Sequence, residues 1–269
     1  MKDIHTLIVG DVHGREFWKE PVEKALSESN ANIVFLGDYL DPYPHEWIDC
    51  DMDYHLITID RFKGIIELKK QYPDRITLLL GNHDCTYALG DNICKCRTDY
   101  ANRKKIEDLF IENKTLFQIA KEDDINGKHF IFSHAGMLRK YFTSFFSDLD
   151  WDKINPVDFF NNAWEMGNYQ VTDKLGIIDR CRGWCMGNEY GSPVWSDIRM
   201  WENVKPEDTF GFNIVGHTQM IDKPIMFDTI ACLDCKRCFY LNSNGDIVEY
   251  NTDEIVQKTK KPPAMWWRN

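Results

Sequence analysis

The sequence predicts an α/β fold: two packed β-sheets flanked by helices. Three observations carry that expectation. First, five short runs rich in Ile, Val, Leu and Phe each close in a polar turn that contains glycine: HTLIVGDVHG, NIVFLGDYLD, ITLLLGNHD, KHFIFSHAG and FNIVGHT. Such runs read as strands buried on both faces. Second, helical stretches over roughly residues 15–29 and 53–72 separate the first three runs. Strand–helix–strand–helix–strand order is that of right-handed crossover units and a parallel sheet. Third, short strand patterns follow the GHT turn, in KPIMFDTIACLD, RCFYLN and IVEY, with Asn244-Gly245 as a hairpin signal. They predict a late antiparallel meander, hence a second sheet packed on the first.

The elements follow in order. Within the second helix, Phe62, Ile65, Ile66 and Lys69 fall at helical spacing. A helical pattern returns over about residues 100–121. Residues 137–193 are different: rich in aromatics, interrupted by glycine, and containing NPVDFFNNAWEMGN, which predicts a helix starting after Pro156. This stretch reads as an insertion covering a site, within one domain spanning 1–269. Its Trp151, Trp164, Tyr169, Trp184 and Tyr190 could stack on a nucleobase; a small core under the lid is the simpler reading. The glycine-containing GWCMGNEYGSPVW reads as a loop reaching toward the site. The tail KKPPAMWWRN is broken by proline. No internal repeat or linker stands out.

Composition narrows the function classes. The chain has 269 residues, 43% of them hydrophobic, enough for a sizeable core. Its 32 Lys and Arg against 43 Asp and Glu leave a net charge of −11. An acidic surface repels nucleic-acid phosphates, and the nearest basic run is Lys258 to Lys261, so no general nucleic-acid binding is expected. The N-terminal apolar run carries His5 and Thr6 and ends in Gly10-Asp11, unlike a signal peptide. No segment has the roughly eighteen apolar residues of a membrane helix, so no membrane partner is expected. Nine cysteines cannot all pair within the chain, and a reduced, cytoplasmic protein is the expectation. Cys232, Cys235 and Cys238 have tempting zinc spacing, but no fourth ligand follows at finger-like distance. They read as small apolar residues in a strand-rich stretch. Cys94 and Cys96 are a weaker version of the same pattern.

The chemistry-bearing residues all lie beyond strand ends, where α/β folds place their sites. Asp11 and His13 share one loop, Asp38 closes the second run, Asn82 the third, and His134 and His217 the later two. Each has a bland reading alone: a strand-end Asp is usually a turn former or helix cap. Five successive strand ends that all carry ligand-type residues are hard to reconcile with chance. Carboxylate, amide oxygen and neutral imidazole suit first-row divalent cations such as Mn2+, Fe2+ or Zn2+. Six such donors, without a thiolate, are too many for one tetrahedral ion and about right for two ions sharing a carboxylate.

The motifs GDVHG, GDYLD, GNHD, SHAG and GHT, in that order, resemble the calcineurin-like metallophosphoesterases. Within them, VWSDIR and IACLDC are most similar to the phosphoprotein-phosphatase branch, which includes Ser/Thr protein phosphatases and symmetrical diadenosine tetraphosphate hydrolases. The resemblance spans residues 7 to about 241. It implies a two-sheet metallophosphoesterase sandwich with two divalent metal ions, Mn2+ foremost. Asp11 and His13 would bind the first ion, Asp38 would bridge, and Asn82, His134 and His217 would bind the second. His83 would be the general acid and Asp41 the carboxylate paired with it. Asp84 would stiffen its turn.

One departure stands out. The family carries an arginine after the paired Asp, and that arginine grips substrate phosphate; here Pro42 takes its place. The resemblance also implies a second phosphate-binding arginine near or beyond the WSD stretch. Arg199, the only arginine between Arg182 and Arg237, is its candidate by elimination, with Arg15, Arg180 and Arg182 as other possibilities, and which arginine replaces the one absent at Pro42 stays open. A surface salt bridge is the bland reading of Arg199. The expected reaction is hydrolysis of phosphate monoesters, in a phosphoprotein or a small molecule, by direct attack of a metal-bound hydroxide. The alternatives are a nucleotide pyrophosphohydrolase of the diadenosine-polyphosphate type and a non-catalytic scaffold. A scaffold is disfavoured because all six ligand positions and the general acid are filled. The partner is accordingly a phosphorylated substrate: small molecule, nucleotide or phosphoprotein.

Overall fold

The first three apolar runs form β1 (Ile4–Val9), β2 (Asn32–Phe35) and β3 (Ile76–Leu79), parallel and adjacent. The structure is a computed structural model that describes residues 4–47, 53–90, 96–181, 188–220 and 222–250. Arg182, Trp184, Cys94, the Lys258–Lys261 run, the C-terminal tail and the first five residues of the glycine-containing loop lie outside the described residues.

Helices α1 (Lys19–Glu28) and α2 (Tyr54–Gln71) make the two crossovers. Asp53 caps α2 by accepting from the amides of His55 and Leu56, which removes two orphan donors from the helix start. Its Ile59, Phe62, Ile65 and Ile66 are buried in the cluster that also holds Leu7, Val9, Ile33, Phe35, Ile76 and Leu78. A short α3 (Asn82–Ala88) follows β3, then α4 (Arg103–Glu112).

The helical reading of residues 100–121 fails in its second half. The chain leaves the helix at Glu112 and forms β4 (Phe117–Gln118), then β5 (Ala120–Ile125). Phe117 and Ile119 are buried while Gln118 points to solvent, a period of two. Phe117 packs 5.1 Å from the Phe110 ring and 6.0 Å from those of Phe62 and Tyr39. Asn126 and Gly127, at φ 51° and 75°, then turn β5 back into β6 (Lys128–Ser133); both residues have the sign of φ that a tight hairpin needs.

Residues 137–193 hold α5 (Arg139–Phe145), α6 (Pro156–Met166) and α7 (Tyr169–Thr172). Asn155 caps α6, Pro156 opens it, and Gly167 at φ 66° ends it. Phe142, Phe146, Trp151, Phe159 and Phe160 meet largely edge to face, with Phe142 and Trp151 at 4.7 Å. Trp151 and Trp164 are buried and Tyr169 is exposed. These two tryptophans are therefore core.

The late strands are β7 (Phe212–Val215), β8 (Ile225–Met226), β9 (Ile230–Cys232), β10 (Cys238–Asn242) and β11 (Ile247–Glu249). They do not form one meander. β10 and β11 extend the first sheet, whose order is β11-β10-β1-β2-β3-β4. The second sheet runs β5-β6-β7-β9-β8, with β6, β7 and β9 parallel. Hydrogen bonding decides this: β10 pairs antiparallel with β1, so the β10–β11 hairpin belongs to β1.

Between the sheets lie Ile8, Val34, Leu79 and Phe239 from one side and Phe130, Phe132, Ile214 and Ala231 from the other. Each large side chain buried there stabilises by roughly 1.5–3 kcal/mol. Cys232, Cys235 and Cys238 are free and buried, with burial raising their thiol pKa values. No helix among the described residues is long and apolar enough to cross a membrane.

Candidate active site

The C-terminal ends of β1, β2 and β3 in one sheet and of β6 and β7 in the other open at the same place. Backbone bonds lace their loops together. His13 N donates to Asp38 O at 2.7 Å, Gly14 N to Tyr39 O at 3.0 Å and Gly216 N to His134 O at 3.0 Å. Four of the six non-glycine residues at positive φ among the described residues are His13, Asp38, Asp41 and His217. Backbone strain of this kind collects at functional sites.

Asp84 ties the loops after β2 and β3. Its carboxylate accepts from the amides of Asp38 at 2.6 Å, Tyr39 at 3.1 Å and Gly81 at 2.8 Å. Asp38 in turn accepts from His83 N at 2.9 Å through Oδ1, so its Oδ2 is aimed across the site. Oδ2 lies 3.6 Å from His13 Nε2 and 3.4 Å from His134 Nε2. His13 and His134 are each oriented from behind: Nδ1 bonds Leu40 O and Leu36 O, both at 2.8 Å. Asn82 Oδ1 lies 2.9 Å from His134 Nε2 and 3.0 Å from His217 Nδ1, and those two nitrogens are 3.2 Å apart. Asp11 accepts from His217 N at 3.0 and 3.1 Å. The six residues expected as ligands are thus brought together, all of them buried.

Two groups of three have ligand atoms within 4.8 Å of one another: His13, Asp38 and His83, and Asp11, Asp38 and His134. Asp38 belongs to both. The donor set fits divalent cations. Donors around one ion at about 2.1 Å sit roughly 3 Å apart, and ligating histidines are held through their second nitrogen.

The electrostatics point the same way. Burial alone would lower the pKa of His134, yet Asp38 and Asp11 lift it to about 10. A proton here occupies a place that wants positive charge. Asp38 stays ionised well below the usual carboxylate range despite burial, because His134 and His83 face it. Burial drives His13 down to about 3 and Asp11 up to about 6.

His83 points to the same opening. Its Nδ1 is 2.7 Å from Asp41 Oδ2, and its ring stands edge-on to His13 at 5.0 Å. Burial would lower its pKa, but Asp38 and Asp41 carry it upward. Arg199 is elsewhere engaged: Nε and Nη2 each bond an Asp197 carboxylate oxygen at 2.8 Å, and the side chain is half exposed. Arg15 is committed to Glu46 at 2.7 and 3.0 Å. Arg180 is exposed.

Three residues escaped the sequence reading. Tyr87 donates to Asp41 Oδ1 at 2.5 Å; it lies four positions after His83 on α3, a helical spacing that signals a shared face. Asp234 is buried with an unbonded Oδ1, its pKa pushed well up by burial and by Asp11. Arg97 bonds Asp41 O at 2.9 Å. Nothing in the sequence marks the last two.

A family model described as calcineurin-like phosphoesterase matches residues 4–218. A protein phosphatase 2A catalytic subunit of Dictyostelium discoideum is 36% identical over 258 residues, covering 91% of this chain and 73% of that protein. Serine/threonine-protein phosphatase 6 catalytic subunit of Drosophila melanogaster is 31% identical over 78 residues, 29% of this chain and 22% of that protein. Among solved structures, a cold-active protein tyrosine phosphatase superposes with a TM-score of 0.53 at 15% identity, covering 92% of this chain and 79% of its own, a likeness of fold. With its motifs in order, its two sheets and most of its length matched, the chain belongs to the calcineurin-like phosphoesterases, a family of hydrolases.

Proposed function

We propose that the chain is a dimetal phosphomonoesterase acting on phosphoproteins or small phosphate esters, with Mn2+ as the working metal. One observation carries this reading: Asp38 belongs to both candidate metal groups, and His83, which falls in one of them by distance, is paired with Asp41. Asp11, His13 and Asp38 would hold one ion; Asp38, Asn82, His134 and His217 would hold the other. Two bound cations would polarise the phosphoryl oxygens and lower the pKa of water for in-line attack.

The remaining work falls to the protein. Protonated His83 gives its proton to the leaving oxygen, and Asp41 holds the imidazole in place and keeps it charged. Leu40 O and Leu36 O fix which nitrogens of His13 and His134 face the site. Residues 137–193 are proposed as an insertion shaping the site mouth within one domain: Ala135 N bonds Pro193 O at 2.7 Å, and Trp195 stands edge-on 5.2 Å from the His217 ring. Cys232, Cys235 and Cys238, free and close together in sequence, fit a cytoplasmic setting.

Metal analysis with Mn2+-dependent assays on a phosphopeptide panel, p-nitrophenyl phosphate and diadenosine tetraphosphate tests the proposal. Release of inorganic phosphate from the monoesters is expected. Cleavage of the dinucleotide alone would make it a pyrophosphohydrolase, and metal binding without turnover would make it a scaffold.

A further inference from the structure

Pro42 puts a ring where relatives of this motif carry a guanidinium, so a phosphate entering this site needs its cation from another part of the chain. The nearby cations are mostly spent. Arg15 forks onto Glu46, Lys236 bonds the same carboxylate at 2.6 Å, Arg61 bonds Glu16 and Gly14 O, and Arg199 forks onto Asp197.

Arg97 is different. It comes from the segment between α3 and α4 and forms no ion pair among the described residues. Its guanidinium lies over the Tyr43 ring, 3.9 Å from the centroid, and Nη2 donates to Asp41 O at 2.9 Å. Tyr43 in turn meets the His13 ring at 5.0 Å, and Asp41 is the partner of His83. Arg97 is near enough to His83 for its charge to weigh against that imidazole's protonation. A guanidinium has five N–H donors. The bond to Asp41 O and the contacts with Tyr43 hold its plane, and the residue is exposed at the rim of the site. A fixed planar fork is the arrangement that takes two phosphate oxygens at once.

We propose that Arg97 is the phosphate clamp of this site, standing in from a different segment for the arginine absent at Pro42, and that its ligand is the dianionic phosphoryl group of the substrate. The assignment rests on the phosphoesterase reading given above, and the test separates the two. Inorganic phosphate is titrated by calorimetry into Mn2+-loaded wild type, Arg97→Ala and Arg97→Lys, with metal content measured on each.

Arg97→Ala is expected to keep its metal and bind phosphate about 10- to 100-fold more weakly, as for a lost charged hydrogen bond. Arg97→Lys should recover only part, because an ammonium has no fork. Undiminished phosphate affinity in metal-loaded Arg97→Ala overturns the clamp, even if the enzyme turns over phosphoesters. Should Arg97→Ala not fold, undiminished affinity in Arg97→Lys overturns it equally. Phosphate bound through Arg97 without turnover of any phosphoester leaves the clamp standing and removes the enzymatic reading. No phosphate binding by metal-loaded wild type overturns both.

Discussion

His83 Nδ1 and Asp41 Oδ2 are 2.7 Å apart, so the proposed proton donor of the site leans on a buried carboxylate across 42 residues of chain. An alkoxide leaving group needs that proton; a nitrophenolate hardly does. His83→Ala should keep its metal and lose about 10²- to 10⁴-fold in kcat on alkyl phosphates. The loss on p-nitrophenyl phosphate should be much smaller. Equal losses on the two substrates would take the proton-donor role from His83.

Tyr87 grips the other oxygen of the same carboxylate at 2.5 Å and itself accepts from Asp99 N at 2.8 Å. Tyr87→Phe removes a positioning contact and leaves the charge of Asp41 less neutralised. His83 then holds its proton more tightly. The expected result is a kcat about tenfold lower, as for one lost hydrogen bond to a charged group, with KM little changed. The alkaline limb of the pH–rate profile should move to higher pH. An unmoved limb would reduce Tyr87 to a packing residue.

A Cβ on Gly216 would lie 2.0 Å from Asp11 Oδ1. Nothing there is flexible enough to yield except the carboxylate itself. Gly216→Ala should swing Asp11 away from the site and weaken metal binding by roughly 10- to 100-fold, the range seen when ligand support is lost. Metal titration of the variant checks this, and wild-type affinity would show that Asp11 is not a ligand.

Asp84→Asn offers one acceptor oxygen where three amides now converge on two. An NH2 would face an N–H, leaving buried donors unpaired. A loss of about 2–4 kcal/mol is expected from denaturant titration, since each such donor costs about 1–3 kcal/mol. A neutral outcome would mean that the loops after β2 and β3 hold each other without it.

The metal-free protein should lose stability as pH rises from 7 to 10. His134 holds its proton in the fold up to about pH 10, whereas the unfolded histidine releases it near its ordinary value. Its contribution is therefore complete below that ordinary value and drains away as pH climbs. Each proton is worth about 1.4 kcal/mol per pH unit. Melting temperatures of chelator-treated protein across this range should fall, and Mn2+ should flatten the trend. A flat curve without metal would contradict the charge assignment at His134.

Much of this site was legible because its candidate ligands follow strands. An apolar run closed by glycine locates a residue at a strand end in one dimension, and parallel pairing gathers those ends in three. The hairpin at Asn126-Gly127 carries the same signal as Asn244-Gly245, but the charged stretch Lys121–Asp124 before it lacks the apolar alternation that marks a strand. Membership of β10 in the first sheet was not legible, since pairing with β1 joins residues more than two hundred positions apart. Arg97 and Asp234 were invisible for a simpler reason. One sits in a polar segment without period and the other beside buried cysteines, so only their neighbours in space give them meaning.

The amide of His217 bonds the carboxylate of Asp11 across 206 positions. A ribosome that has released the first two hundred residues is holding a chain whose acidic N-terminal loop has nothing to close on. The proposed site therefore cannot be complete until late in synthesis, when His217 has emerged to meet Asp11.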